Sequence, residues 1–118
     1  FPDLALYEEI LFLQAYHQGR WVVENVVPYY PPLIKPTAKV GRHLFWSNFE
    51  FTAEEVPSPA NFIKLGTVAA AKELKRWLGL DYVGNIYYGK NHCAAQVLRN
   101  CVHPDLGLEI FEAAMTHE

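Results

Sequence analysis

The sequence predicts an α/β fold. Three observations carry this: helical periodicity over the first seventeen residues, a nearly continuous β-branched run just beyond a glycine turn, and renewed helical periodicity in the second half. With 118 residues, 51% hydrophobic and 19% charged, the chain has the composition of one globular domain rather than of a disordered or fibrous protein. Ten basic against thirteen acidic residues give a net charge of -3, so no global basic field draws in nucleic acid, and any such contact must be local. Cys93 and Cys101, with no secretory leader or spaced partner pair, point to a reducing, cytoplasmic compartment and away from a disulfide scaffold or zinc site. No apolar run nears the roughly 18 residues of a membrane span.

Asp3 is the expected N-cap of a helix running to about His17. Leu4, Tyr7, Ile10, Leu11 and Leu13 form its apolar stripe, Glu8 and Glu9 lie near its positive end, and Gly19 ends it. The chain begins abruptly at Phe1-Pro2-Asp3, as though in mid-domain. Arg20 to Val23 leads into Glu24-Asn25-Val26-Val27, which reads as a buried strand of a mainly parallel sheet. Pro28, Pro31, Pro32 and Pro36 then enforce a stiff extended loop around Tyr29 and Tyr30. Loops at the carboxyl ends of parallel strands hold ligands in α/β proteins, which places Glu24 and Asn25 near the expected functional edge.

Thr37 to Val40 and His43 to Phe51 read as a hairpin about Gly41-Arg42. An irregular stretch from Glu54 to Asn61 precedes a helix over Val68 to Leu78. Ala69 to Ala71, Leu74, Trp77 and Leu78 form its inner side, Lys72, Lys75 and Arg76 its outer side, and Gly79 its C-cap. An aromatic, glycine-punctuated connection over Asp81 to Gly89, a helix from about His92 to Leu98 and a closing helix of roughly twelve residues from Pro104 complete the chain. Three Trp, seven Tyr and seven Phe are more apolar bulk than a domain this small hides, so some should lie on functional or partner surfaces.

Glu24 is the first chemical candidate. A carboxylate at the end of a buried strand is costly unless it is hydrogen-bonded or used, and burial raises its pKa toward that of a proton donor; an exposed strand-end glutamate is the plainer alternative. Trp21-Val22-Val23-Glu24-Asn25-Val26 resembles the strand-borne ENV motif of the DNA cytosine-5 methyltransferases, whose Glu contacts a flipped-out cytosine and assists protonation at N3. Gly41-Arg42-His43-Leu44-Phe45-Trp46 is similar to the family's later arginine strand motif, which implies that Arg42 holds the cytosine O2. Gln96 to Pro104, reading QVLRNCVHP, resembles the terminal GNxVxP motif with Arg99 at the usual Gly, which implies Asn100 and Val102 beside S-adenosylmethionine. The resemblance also implies that Asn25 holds the Glu24 loop, and it makes Tyr29 and Tyr30 candidates to stack on nucleotide bases, with loop packing as their other reading.

These motifs, in family order over most of the chain, imply a partial Rossmann-like methyltransferase fold. Residues 1–47 would belong to the catalytic layer, 48–90 to a short target-recognition segment, and 91–118 to helices returning to the cofactor domain. The family's glycine-rich cofactor motif and its Pro-Cys nucleophile do not occur here. Since cytosine methylation at C5 needs a thiolate to add at C6, the chain resembles a C-terminal portion that completes an enzyme with a complementary chain or with further copies of itself. Two other readings stay open: a non-enzymatic phage or mobile-element remnant that binds DNA or a full methyltransferase, and an excised portion of a longer enzyme.

The remaining candidates have plainer readings. His17, His43, His92, His103 and His117 lack metal-ligand spacing and read as surface or capping residues. Ser47 and Ser58 lack a nucleophile elbow, and Lys72, Lys75 and Arg76 read as a solvated helix face.

Overall fold

The computed structural model describes residues 2–59, 68–82 and 94–116. The chain divides into two compact units, Phe1–Glu55 with Leu106–Glu118, and Val56–Asp105. The helix expected over 92–98 is described from Ala94 onward, and the 81–89 connection beyond Tyr82 lies outside the described residues, as do Cys93, His92 and His117. Residues 48–55 group with the first unit, so the expected 48–90 segment straddles the division.

In the first unit, α1 (Leu4–Tyr16) starts where the Asp3 carboxylate accepts the Ala5 N–H at 3.1 Å, satisfying one of the orphan donors of the first turn. Glu8 and Glu9 sit beyond that turn. The expected apolar stripe is only partly buried. Tyr7 and Ile10 point inward, whereas Leu4 and Leu11 face outward with Phe12 and Tyr16, because the helix is apolar on nearly every side and only one side meets the sheet.

Strands β1 (Val22–Val26), β2 (Ala38–Val40) and β3 (His43–Ser47) form a sheet of order β1-β3-β2. Both pairings are antiparallel, which corrects the expectation of a parallel sheet around 22–27. The second hairpin strand also ends at Ser47 rather than Phe51. Among the described residues β1 is an edge strand and β3 the centre, with Leu44, Phe45 and Trp46 all buried. Gly41 at φ 57° followed by a residue of negative φ makes the two-residue hairpin turn of II′ type, whose twist matches that of the strands.

Register sorts the side chains. Val23, Leu44 and Trp46 pack with Trp21 against Tyr7 and Ile10 of α1. On the other face Phe45 meets Phe51 edge-on at 5.6 Å, and Phe51 stacks beside the buried Phe49. Asn48 ties the sheet to its entry turn: its Oδ1 accepts the Trp21 N–H at 2.9 Å and its Nδ2 donates to the Gly19 carbonyl at 2.9 Å. Asn48→Ala should therefore cost about 1–2 kcal/mol, the net worth of two such bonds, read as a lower urea midpoint at an unchanged slope.

Tyr7 is 5% exposed, and its hydroxyl is buried with no hydrogen-bond partner among the described residues. Burial chiefly, then the Tyr30 side chain, pushes its pKa above the usual 10.0. The unfolded chain thus releases this proton at lower pH than the folded one, and this contribution to stability, full below pH 10, is lost as the pH rises further. Tyr7→Phe should leave the protein as stable or slightly more stable at neutral pH, because the unpaired hydroxyl goes. It should also flatten the alkaline fall in denaturation midpoint; a steeper fall than wild type would contradict this account.

In the second unit, α2 (Val68–Leu78) buries Ala70, Leu74 and Leu78 against Ala95 and Leu98 of α3 (Ala94–Arg99). Gly79 at φ 73° closes α2 with the Leu80 N–H on the Lys75 carbonyl and the Gly79 N–H on that of Arg76, a Schellman pair. His103 caps α4 (Pro104–Thr116): its Nδ1 accepts the Asp105 N–H at 3.1 Å, while Nε2 donates to the Trp77 carbonyl at 2.8 Å. No helix among the described residues is long and apolar enough to cross a membrane.

Candidate functional site

The antiparallel ladder sets Glu24 at mid-strand and Arg42 at the hairpin turn. Val26 pairs with His43, and one step further the Val27 N–H donates to the Arg42 carbonyl at 2.9 Å, which sets the Arg42 turn at the carboxyl end of β1. Glu24 lies two residues inside that end, directly across from Phe45. Glu24, Val26, His43 and Phe45 share one face, because alternate residues of a strand point the same way. Asn25 points to the opposite face, the one covered by α1.

Glu24 does not stand alone as a charge. His43, diagonal to it across β1 and β3, brings Nδ1 to 2.6 Å from Oε2, with the imidazole 12% exposed and the carboxylate 31% exposed. His43 is thus an inward partner of Glu24 rather than the surface or capping residue its isolated position in the sequence suggests. No spacing rule finds such a pair, since the two residues are nineteen positions apart and meet only once the strands are in register.

Gly41, which begins the turn, leaves room for another side chain. A Cβ there would come within 2.7 Å of the Glu55 carboxyl carbon, so the Glu55 side chain lies over the turn. Glu24 thus sits mid-strand as a half-buried carboxylate bonded to an imidazole, while the exposed Arg42 lies on the tight turn three ladder positions further along, where the Glu55 side chain covers Gly41. Chemically, the half-buried Glu24 carboxylate with its imidazole partner suits a ligand edge that donates hydrogen bonds.

The other sequence candidates are placed separately. Tyr29 is fully exposed just after β1, whereas Tyr30 packs against the core beside α1, with its hydroxyl accepting the Asp3 N–H at 3.3 Å. Asn100 and Val102 belong to the second unit and are half-buried. The Asn100 N–H caps the end of α3 on the Gln96 and Val97 carbonyls, and no hydrogen bond engages its carboxamide among the described residues. A hollow lined by Thr37, Glu50, Phe51 and Thr52 opens near the Ser47 end of β3, away from the Gly41-Arg42 turn. Among the described residues no group of His, Cys, Asp and Glu could hold a metal ion. No family model, curated protein or solved structure matches the chain.

Proposed function

We propose that this chain is the C-terminal portion of a DNA cytosine-5 methyltransferase, which positions a flipped cytosine for a thiolate and cofactor site completed elsewhere. The feature that supports the reading is the half-buried Glu24 carboxylate hydrogen-bonded to His43, with the Arg42 turn further along the same pairing of β1 and β3. A cytosine offers N3 and the 4-amino group beside O2, so a carboxylate and a guanidinium brought to the base could grip that edge. Glu24 would take N3 and N4, hold the proton at N3 and so draw electrons from C6 toward the ring nitrogen. Arg42 would hold O2 and set the ring's rotation.

The strand order supports the same reading. β1 and β2 run parallel to one another with β3 reversed between them, and β1 keeps its outer edge unpaired among the described residues. Its run of Val22, Val23, Val26 and Val27 has the composition of a strand covered on both sides, so further parallel strands added at that edge would extend it into a Rossmann-like sheet. The half-buried Asn100, its carboxamide not engaged among the described residues, and Val102 suit one wall of an S-adenosylmethionine pocket; the cofactor, when bound, would supply the methyl group. Cytosine recognition falls to this chain, and C6 attack to a Pro-Cys thiolate outside it.

The test is methyl transfer from labelled S-adenosylmethionine to mixed-sequence DNA, with this chain alone and with a complementary portion bearing the glycine-rich and Pro-Cys motifs. Activity only on mixing supports the reading. No activity in either case, with DNA or methyltransferase binding retained, replaces it with the non-enzymatic remnant that binds DNA or a full methyltransferase.

A further inference from the structure

We propose that His43 is the positioning residue of this site: it holds Oε2 of Glu24 and leaves Oε1 presented to the base. The proposal rests on the methyltransferase reading for its role, though not for the contact itself. Phe45 faces Glu24 directly and Val26 lies beside it on the same face, and neither offers a hydrogen bond. Left to these neighbours, the glutamate would sample its rotamers in water, being 31% exposed. The Nδ1 contact at 2.6 Å removes that freedom at one oxygen only.

His43 is itself well fixed. It sits in the central strand, paired on one side with Val26 and on the other with Val40, and its ring lies 6.4 Å from that of Phe45. The imidazole is 12% exposed, so it is a rigid donor rather than a mobile surface side chain. Because its hydrogen bond is to the carboxylate, its effect on a bound base runs through Glu24. A reactive group misplaced by about 1 Å can lose on the order of a hundredfold in rate, which sets the scale expected for losing such a support.

The test uses two substitutions in the whole chain. His43→Leu removes the donor, while His43→Asn puts an amide N–H close to where Nδ1 stood. With glutamate carbon-13 labelled and the Glu24 signals identified by their loss in Glu24→Gln, side-chain relaxation should show Glu24 ordered in the wild type, mobile in His43→Leu and ordered again in His43→Asn. In the assembled enzyme His43→Leu should lower kcat about 10- to 100-fold with little change in KM for DNA, and His43→Asn should restore most of it. Glu24 as mobile in the wild type as the exposed Glu8 and Glu9, or equally ordered in His43→Leu, overturns the proposal. So does full turnover by His43→Leu where Glu24→Gln is dead, which leaves the methyltransferase reading standing. If no assembly methylates DNA yet Glu24 order depends on His43, the methyltransferase reading fails and the holding contact is upheld.

Discussion

Under the proposed methyltransferase function, Glu24→Gln should abolish methyl transfer by the assembled enzyme, a loss of about 10²- to 10⁴-fold, the range removed with a single general acid or base. The amide has the carboxylate's shape and keeps an acceptor for the His43 Nδ1–H, so the β1 and β3 ladder has no reason to change. It cannot hold and release a proton at N3, which is the step assigned to Glu24. Labelled methyl transfer measured beside a thermal melt separates the two effects. A normal melt with lost activity is the expected pair; full activity would refute the assigned role.

Trp46→Ala should be the most destabilising single change in the sheet unit, costing about 3–5 kcal/mol. Trp46 is 2% exposed in the central strand, meets Tyr7 of α1 edge-on at 6.2 Å and donates its indole N–H to the Ile34 carbonyl at 2.9 Å. Its removal opens a large cavity, orphans that carbonyl and loosens the proline-rich loop after β1 together with α1. Against a typical total of about 5–15 kcal/mol, this should leave the unit largely unfolded near 37 °C. Urea denaturation followed by far-ultraviolet circular dichroism would show it; a midpoint within experimental error of wild type would mean that the core does not depend on this ring.

Local signals were legible in the sequence. The bounds of α2 and its Gly79 cap, the Asp3 cap of α1, and the Gly41-Arg42 turn each follow from a residue whose backbone preference acts within a few positions. Strand direction is not encoded that way. The run Val22 to Val27 reads as a strand covered on both sides, but composition cannot say whether its partner runs with it or against it, and here β3 runs against it. The outward turn of Leu4 and Leu11 was hidden for a similar reason, because a helix apolar nearly all round does not announce which side meets a sheet. At the site, Glu24 and Arg42 were legible as candidates through their flanking residues, whereas His43 was not, since its partner is set by cross-strand register. Asn48 escaped notice because its bonds reach twenty-seven and twenty-nine residues back to a turn.

The placement of β3 between β1 and β2 has a kinetic consequence. The β2 and β3 hairpin closes through two residues and can form within microseconds, whereas β1 must wait for the loop holding Pro28, Pro31, Pro32 and Pro36 to bring its partner back. On a ribosome β1 emerges first and stays without its partner until residues 43 to 47 have followed. During that interval a bare valine-rich segment is open to pairing with other chains, and the charge on Glu24 is what interrupts it. Whatever it binds, the Glu24 carboxylate thus also acts as a gatekeeper against aggregation while the chain is being made.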